Sequence, residues 1–388
     1  MHNFDKVVNR MNSGSVKWDR REEVFQKADI IPLWVADMDF TSPKEVLDAI
    51  QKRLQHGIFG YTDIAEELYS SVIHWNKTRH NWDIKREQIL FDDSVLSSLN
   101  ILLHILTKEK DNILMLSPIY YPFFNIVKTL KRVSIFSIMK VDHHHYQIDF
   151  SDLEKKMIKY SPKVMIFCNP HNPGGRVWNP NELIKVIALC KKYHVRIISD
   201  DIHKDIIFTG YTYTPMASLN TQYKEQIYTL SAPTKVFNIA GIKASYVIIY
   251  DERIRRLYQI EANRRTSSSL NIFAMEATKA AYKHCAYWVD ELNAYLYKSY
   301  LMIQNGLKDT RFICFQSEGT YLLWIDYTAL HVSCADMKQI LIGHGLGMQM
   351  GKQFGEAGKS YFRFNIATQY AVLEDVVERL KLIDDIIK

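Results

Sequence analysis

Cys168-Asn169-Pro170-His171-Asn172-Pro173-Gly174-Gly175-Arg176-Val177-Trp178 is the stretch on which the reading of this chain turns. It closes the apolar run Val164–Cys168 with residues that favour turns. Ser199-Asp200-Asp201-Ile202-His203 follows the run Val195–Ser199, and Ser231-Ala232-Pro233-Thr234-Lys235 follows Ile227–Leu230. Near the end stands Phe362-Arg363-Phe364-Asn365. An Asn, an Asp, a Lys and an Arg therefore come in that order, each at the edge of a strand-like run.

Further strand-like runs are Ile113–Leu116, Val133–Ile138 and Tyr246–Tyr250. Between two of the runs, Glu182–Tyr193 places apolar residues at helical spacing. Runs that are apolar throughout suit a mostly parallel sheet covered on both faces, which predicts an α/β fold. Ligands of such sheets sit at the carboxyl ends of the strands. Asn169, Asp200 and Ser231 each fall just past a run, so they are expected to converge there.

After about Tyr287 the pattern changes. A helix over Trp288–Leu307, strands over Tyr321–Ile325 and Tyr361–Ile366, and a helix over Val372–Ile387 predict a smaller α+β domain. The expected division is a large domain at 42–286 and a small one made of 1–41 and 287–388.

Composition narrows the function. Lys and Arg exceed Asp and Glu by 49 to 43, a mild and interspersed excess. The densest basic stretch, Arg253 to Arg265, is interrupted by acids and apolar residues and reads as a solvated helix face, not a nucleic-acid patch. Five cysteines at irregular spacing, with no CxxC, suit reduced thiols in a cytoplasm. No stretch resembles a signal peptide or a membrane span, so a cytoplasmic enzyme is expected. His143-His144-His145 lacks spaced acid or thiol partners and reads as a polar loop, so no metal site is expected. Gly343-His344-Gly345-Leu346-Gly347 follows no strand and reads as a turn.

The ordered residues have the chemistry of a pyridoxal 5'-phosphate (PLP) site. Lys235, within an apolar, Gly-bounded turn, would form the Schiff base, because a desolvated amine loses its proton more readily. Asp200 would face the pyridine nitrogen and keep the ring protonated as an electron sink. Taken alone, Asp200 could equally cap a helix. Asn172 would hydrogen-bond the ring's phenolate oxygen. His203 would bond the same oxygen or lie in the core. The amino end of a helix over Val95–Leu106 offers an anion site at Ser94, Val95 and Leu96. Asp92 and Asp93 just before it oppose a phosphate unless they point away, and one of them is expected to cap the helix. Lys243 would supply a cation to the phosphate. Arg363 would clamp a substrate carboxylate with its planar fork, and Tyr120 offers a ring for stacking.

The chain resembles the MalY/PatB-type cystathionine β-lyases, within the aspartate aminotransferase fold of PLP enzymes. The resemblance is carried by Ser15-Val16-Lys17-Trp18-Asp19, Leu33-Trp34-Val35-Ala36-Asp37-Met38-Asp39-Phe40, Gly60-Tyr61-Thr62, the two loops quoted first, Glu318-Gly319-Thr320-Tyr321 and Phe362–Ala367. It implies fold type I, with a mostly parallel seven-stranded sheet flanked by helices. It implies that Lys235 carries PLP, Asp200 meets the ring nitrogen, and Asn172 and His203 neighbour the ring oxygen. Tyr120 would stack on the ring. Arg363 would hold the α-carboxylate, with Ala36, Asn172 and Tyr120 as further substrate contacts. It also implies a homodimer in which Tyr61 reaches the phosphate of the partner's site. Three positions depart from the family pattern: Ser94 for a usual Gly, Asp201 for a usual Glu, and Ala232 for a usual Ser.

The implied activity is α,β-elimination on L-cystathionine or another L-cysteine S-conjugate, giving a thiol, pyruvate and ammonia. The nearest alternative is an aminotransferase of the same fold, which keeps the nitrogen and needs a keto acid. A MalY-like enzyme with an added regulatory protein-binding role is the other.

Overall fold

A computed structural model describes residues 2–220, 222–266 and 269–387. Its centre is a seven-stranded sheet in the order Ile89–Asp92, Ser245–Ile248, Ile227–Ser231, Arg196–Asp200, Val164–Cys168, Asn112–Ser117, Val133–Ile138. The last five run parallel to one another. Ser245–Ile248 is antiparallel to both of its neighbours. Nothing in its apolar pattern distinguishes it from the parallel strands.

The side chains explain why these runs are apolar throughout. Ile113, Met115, Val164, Ile166 and Ile198 join one buried cluster with the helices Val95–Leu106 and Tyr121–Thr129. Their neighbours Leu114, Leu116, Met165, Phe167 and Ile197 join another, with the helices Pro180–Lys192 and Ala286–Leu307. Alternate residues point to opposite faces, and both faces are covered. Asp200 and Ser231 are the last residues of their strands, one position earlier than expected, because the ladder reaches Cys168↔Asp200 and Tyr246↔Ser231.

A second, four-stranded antiparallel sheet has the order Ile313–Cys314, Leu322–Asp326, Tyr361–Asn365, Gln349–Met350. The N-terminal segment is built onto this part. Ile31–Pro32 pairs in parallel with Leu346–Gly347, and Asn365 N donates to Leu33 O at 2.9 Å. Buried Lys17 and half-buried Trp18 both donate to Asp39, at 2.8 and 2.9 Å, and Arg10 bridges Asp37 and Asp39. These contacts give the strings around Trp18 and Asp37 a structural reason to occur together. Among the described residues no helix is long and apolar enough to cross a membrane.

His143 and His144 form the turn of the hairpin Lys140–Asp142/His145–Gln147, and His145 bonds Glu318 at 2.8 Å. Of the stretch read as a turn only His344 and Gly345, the latter at φ +74°, are one: Gly343 ends the helix Cys334–Gly343, and Leu346–Gly347 is the short strand paired with Ile31–Pro32. Gly319 is needed for close approach, since a Cβ there would lie 2.5 Å from the Ile206 carbonyl oxygen. Gly319→Ala is expected to cost about 1–3 kcal/mol through a forced backbone shift. Urea unfolding of the variant checks this, and an unchanged midpoint would show that the backbone yields freely.

Candidate active site

The loop after the strand Ile227–Ser231 presents Lys235. Phe237 N bonds Pro233 O at 3.1 Å and Ile239 N bonds Thr234 O at 3.1 Å, which makes the turn compact. Val236 and Phe237 anchor it in the core, and Trp288 Nε1 donates to Val236 O at 2.9 Å. Asn238, at φ +55°, fastens the loop to the N-terminal segment. Its Nδ2 donates to Met38 O at 3.0 Å and Phe40 O at 2.7 Å, and its Oδ1 accepts from Met38 N at 3.0 Å. Across this seam Lys235 Nζ donates to Ala36 O at 2.7 Å.

Lys235 lies in a wall shared by two adjoining cavities. The inner one, about 280 Å³, lies at the carboxyl ends of the central strands. Ala36, Ser94, Val95, Leu96, Tyr120, Asn172, Asp200, His203, Lys235 and Lys243 all line it. The outer one, about 690 Å³, is bounded by Arg10, Trp34, Asp37, Tyr121, Gln349 and Arg363, and shares Ala36, Tyr120 and Lys235 with the inner. Arg363 reaches across by donating to Asn172 Oδ1 at 3.0 Å. Every expected site residue but one therefore gathers here. The exception is Tyr61, which is fully exposed and lines neither cavity.

Burial sets the electrostatics. It lowers the Lys235 ammonium to about 8; Asp37 and Asp200 oppose the shift and Arg363 reinforces it. Burial raises the Asp200 carboxyl to about 7, with the charge of Asp201 adding to it, against an N–H donated by Ile202. Burial, helped by Lys235 and Arg363, drives His203 down to about 3, which keeps its imidazole neutral. Its Nδ1 is buried without a partner among the described residues. The Arg363 guanidinium is 3% exposed and burial lowers it to about 10. Its hydrogen-bond acceptors are all neutral: Asn172 Oδ1, Trp34 O at 3.2 Å and Gln349 Oε1. A buried cation with no carboxylate among those acceptors is suited to receive one from a ligand.

One expectation fails at the helix Val95–Leu106. Its cap is Ser94, whose Oγ accepts from Ser97 N at 3.2 Å, and neither Asp92 nor Asp93 caps it. The extended backbone of Ser94 places its short hydroxyl at the first turn, as a capping residue requires. Asp92 turns instead to Tyr258 and Ser98. Asp201 also leaves the cavity, taking bonds from Ser199 Oγ at 2.5 Å and from Tyr213.

A family profile described as Aminotransferase class I and II matches residues 28–380. The chain belongs to that family. Cystathionine beta-lyase PatB of Bacillus subtilis strain 168 is 35% identical over 384 residues, 98% of this chain and 99% of the relative. Protein MalY of Escherichia coli K12 is 28% identical over 389 residues, 98% of each chain. The crystal structure of cystalysin from Treponema denticola, which contains a pyridoxal 5'-phosphate cofactor, gives a TM-score of 0.96 at 32% identity over 100% of both chains.

In this member of the class I and II aminotransferase family, sequence reasoning overlooked Asp37, Arg10 and Gln349. Asp37 acts on the charge of Lys235, Arg10 bonds both Asp37 oxygens at 3.0 and 2.8 Å, and Gln349 accepts from Arg363. Asp37 directly follows Ala36, but spacing carries no sign that it acts on a lysine 198 positions away.

Proposed function

We propose that this protein is a PLP-dependent carbon–sulfur β-lyase acting on L-cystathionine or related L-cysteine S-conjugates. The observation that carries the reading is one cavity lined by Lys235, Asp200 and Asn172, with Arg363 bonded to Asn172 at its outer edge. The likeness to a relative named as a cystathionine beta-lyase supports elimination over transamination.

The donors and acceptors of the inner cavity match the cofactor. Asp200 complements a pyridinium N–H, Asn172 and the unpartnered His203 Nδ1 complement a ring oxygen, and Tyr120 offers its face. Ser94, Val95, Leu96 and Lys243 would hold the phosphate at a helix amino end, where the first N–H groups lack intrahelical partners. When bound, PLP supplies an aldehyde that takes an amine covalently and a ring that accepts the electron pair left at Cα.

The protein's own groups do the rest. Lys235 Nζ holds the cofactor until substrate arrives, then takes the Cα proton. Its pKa of about 8 leaves much of it neutral near that pH. Asp200 keeps a proton at the ring nitrogen. Arg363 fixes the α-carboxylate and so orients the Cα–H bond toward Nζ. Asp37 and Arg10 at the outer cavity meet the group beyond sulfur. Overall, the thioether and one water give a thiol, pyruvate and ammonia.

The division into a large part at 42–286 and a small part at 1–41 and 287–388 belongs to this reading, with the site between them. So does a cytoplasmic homodimer in which exposed Tyr61 completes the partner's phosphate site. The exposed apolar residues Leu54, Ile58 and Phe59 beside Tyr61 support such a contact.

Pyruvate release from L-cystathionine, with PLP and no keto acid, tests the reading. Prompt release is expected. Amino-group transfer to an added keto acid without pyruvate release would assign the chain to transamination. Arg363→Ala is expected to raise KM for L-cystathionine about 100-fold with a smaller change in kcat, as for loss of one buried charged partner. An unchanged KM would remove Arg363 as the carboxylate clamp.

A further inference from the structure

The two acids ahead of the helix Val95–Leu106 have separate fates. Asp92 is fully buried and satisfied: Oδ2 accepts from Tyr258 OH at 2.8 Å and Ser98 Oγ at 3.2 Å, and Oδ1 from Asp93 N at 2.7 Å. Asp93 lines the inner cavity together with Ser94, Val95, Leu96 and Lys243. Its Oδ1 is shielded from solvent and has no hydrogen-bond partner among the described residues. Among the described residues it has no ion pair, and the capping role that would occupy it belongs to Ser94.

A helix amino end attracts one anion, and a second negative group beside it is repelled. We propose that Asp93 is a built-in competitor of the cofactor's phosphate, which makes this chain hold PLP loosely and exchange it readily. The proposal rests on the PLP reading above. It concerns only the phosphate end of the cavity, because the remaining cofactor contacts come from Tyr120, Asn172, Asp200, His203 and Lys235, away from the helix end. The consequence is specific: removing the charge strengthens binding of the phosphorylated cofactor and leaves the unphosphorylated one alone. A merely structural role for Asp93 would alter both.

Equilibrium dialysis of the full chain against PLP, and separately against pyridoxal, tests this in the wild type, in Asp93→Asn and in Asp93→Ser, a second neutral residue suited to a helix amino end. Either variant is expected to bind PLP about tenfold more tightly, as for relief of a like-charge contact, with pyridoxal affinity unchanged. PLP release from either variant holoenzyme into cofactor-free buffer should slow in proportion. PLP affinity that is unchanged or weaker in a folded variant overturns the proposal, as does an equal gain for pyridoxal. Failure of the wild type and both variants to bind either compound would instead overturn the PLP reading itself.

Discussion

Lys235→Ala is expected to lower pyruvate release from L-cystathionine by a factor on the order of 10⁴ or more, since one amine both holds the cofactor and moves the Cα proton. The fold should survive. Among the described residues Lys235 makes a single hydrogen bond, to Ala36 O, while the turn around it is held by Val236, Phe237 and Asn238. Removing a desolvated amine also relieves the burial that lowers its pKa. Far-UV circular dichroism and urea unfolding should therefore match the wild type while turnover vanishes. Near-wild-type activity would move the base elsewhere, and no other lysine lining the inner cavity except Lys243 is available among the described residues.

Asp200→Asn is the second large effect. An amide cannot hold the ring nitrogen protonated, so kcat is expected to fall about 10³-fold, the scale of losing one preorganised electrostatic partner. The same variant should stabilise the cofactor-free protein, in a pH window that the carboxyl itself defines. Asp200 titrates at about 7 in the folded chain, against about 4 unfolded. Below pH 4 both states are protonated and the acid costs nothing. Between pH 4 and 7 the unfolded state gives up its proton and the folded state keeps it, so stability declines. Above pH 7 the folded chain carries the full penalty, about 4 kcal/mol as an upper bound. Asparagine carries none of it. The urea midpoint of the apo variant should thus exceed that of the apo wild type at pH 8 and match it near pH 4. A gap independent of pH would mean that burial of this carboxyl is not what destabilises the wild type.

Much of this architecture was legible because burial leaves a mark on sequence. Strands covered on both faces must be apolar throughout, so Val164–Cys168 and Ile227–Leu230 announced themselves, and the polar residues that end them marked the cavity. Orientation left no such mark. Ser245–Ile248 is as buried as its parallel neighbours, and only hydrogen bonding reveals that it runs the other way. The cap could not be read from sequence because Asp92, Asp93 and Ser94 are all good capping residues, and Asp92 is drawn away by Tyr258 from elsewhere in the fold as well as by Ser98 of the helix itself. Asp37 and Gln349 were missed for a similar reason. Their effects on Lys235 and Arg363 arise from the pairing of Ile31–Pro32 with Leu346–Gly347 and of Gln349 with Arg363, and two-residue ladders are too short for periodicity to register.

The side chain of Asn238 has a consequence for how this protein can change. It satisfies Met38 N, Met38 O and Phe40 O at once, three residues after Lys235. The amine-bearing turn and the opening forty residues are thereby riveted into one unit, although they lie two hundred positions apart in the chain. A version trimmed to start near Pro43 would keep every strand of the central sheet, yet it would lose the Ala36 wall and release the turn from its anchor. Insertions or exchanges at the two ends of this rivet will be tolerated only in matched pairs, so grafting the opening segment of a relative onto this body requires its lysine turn as well.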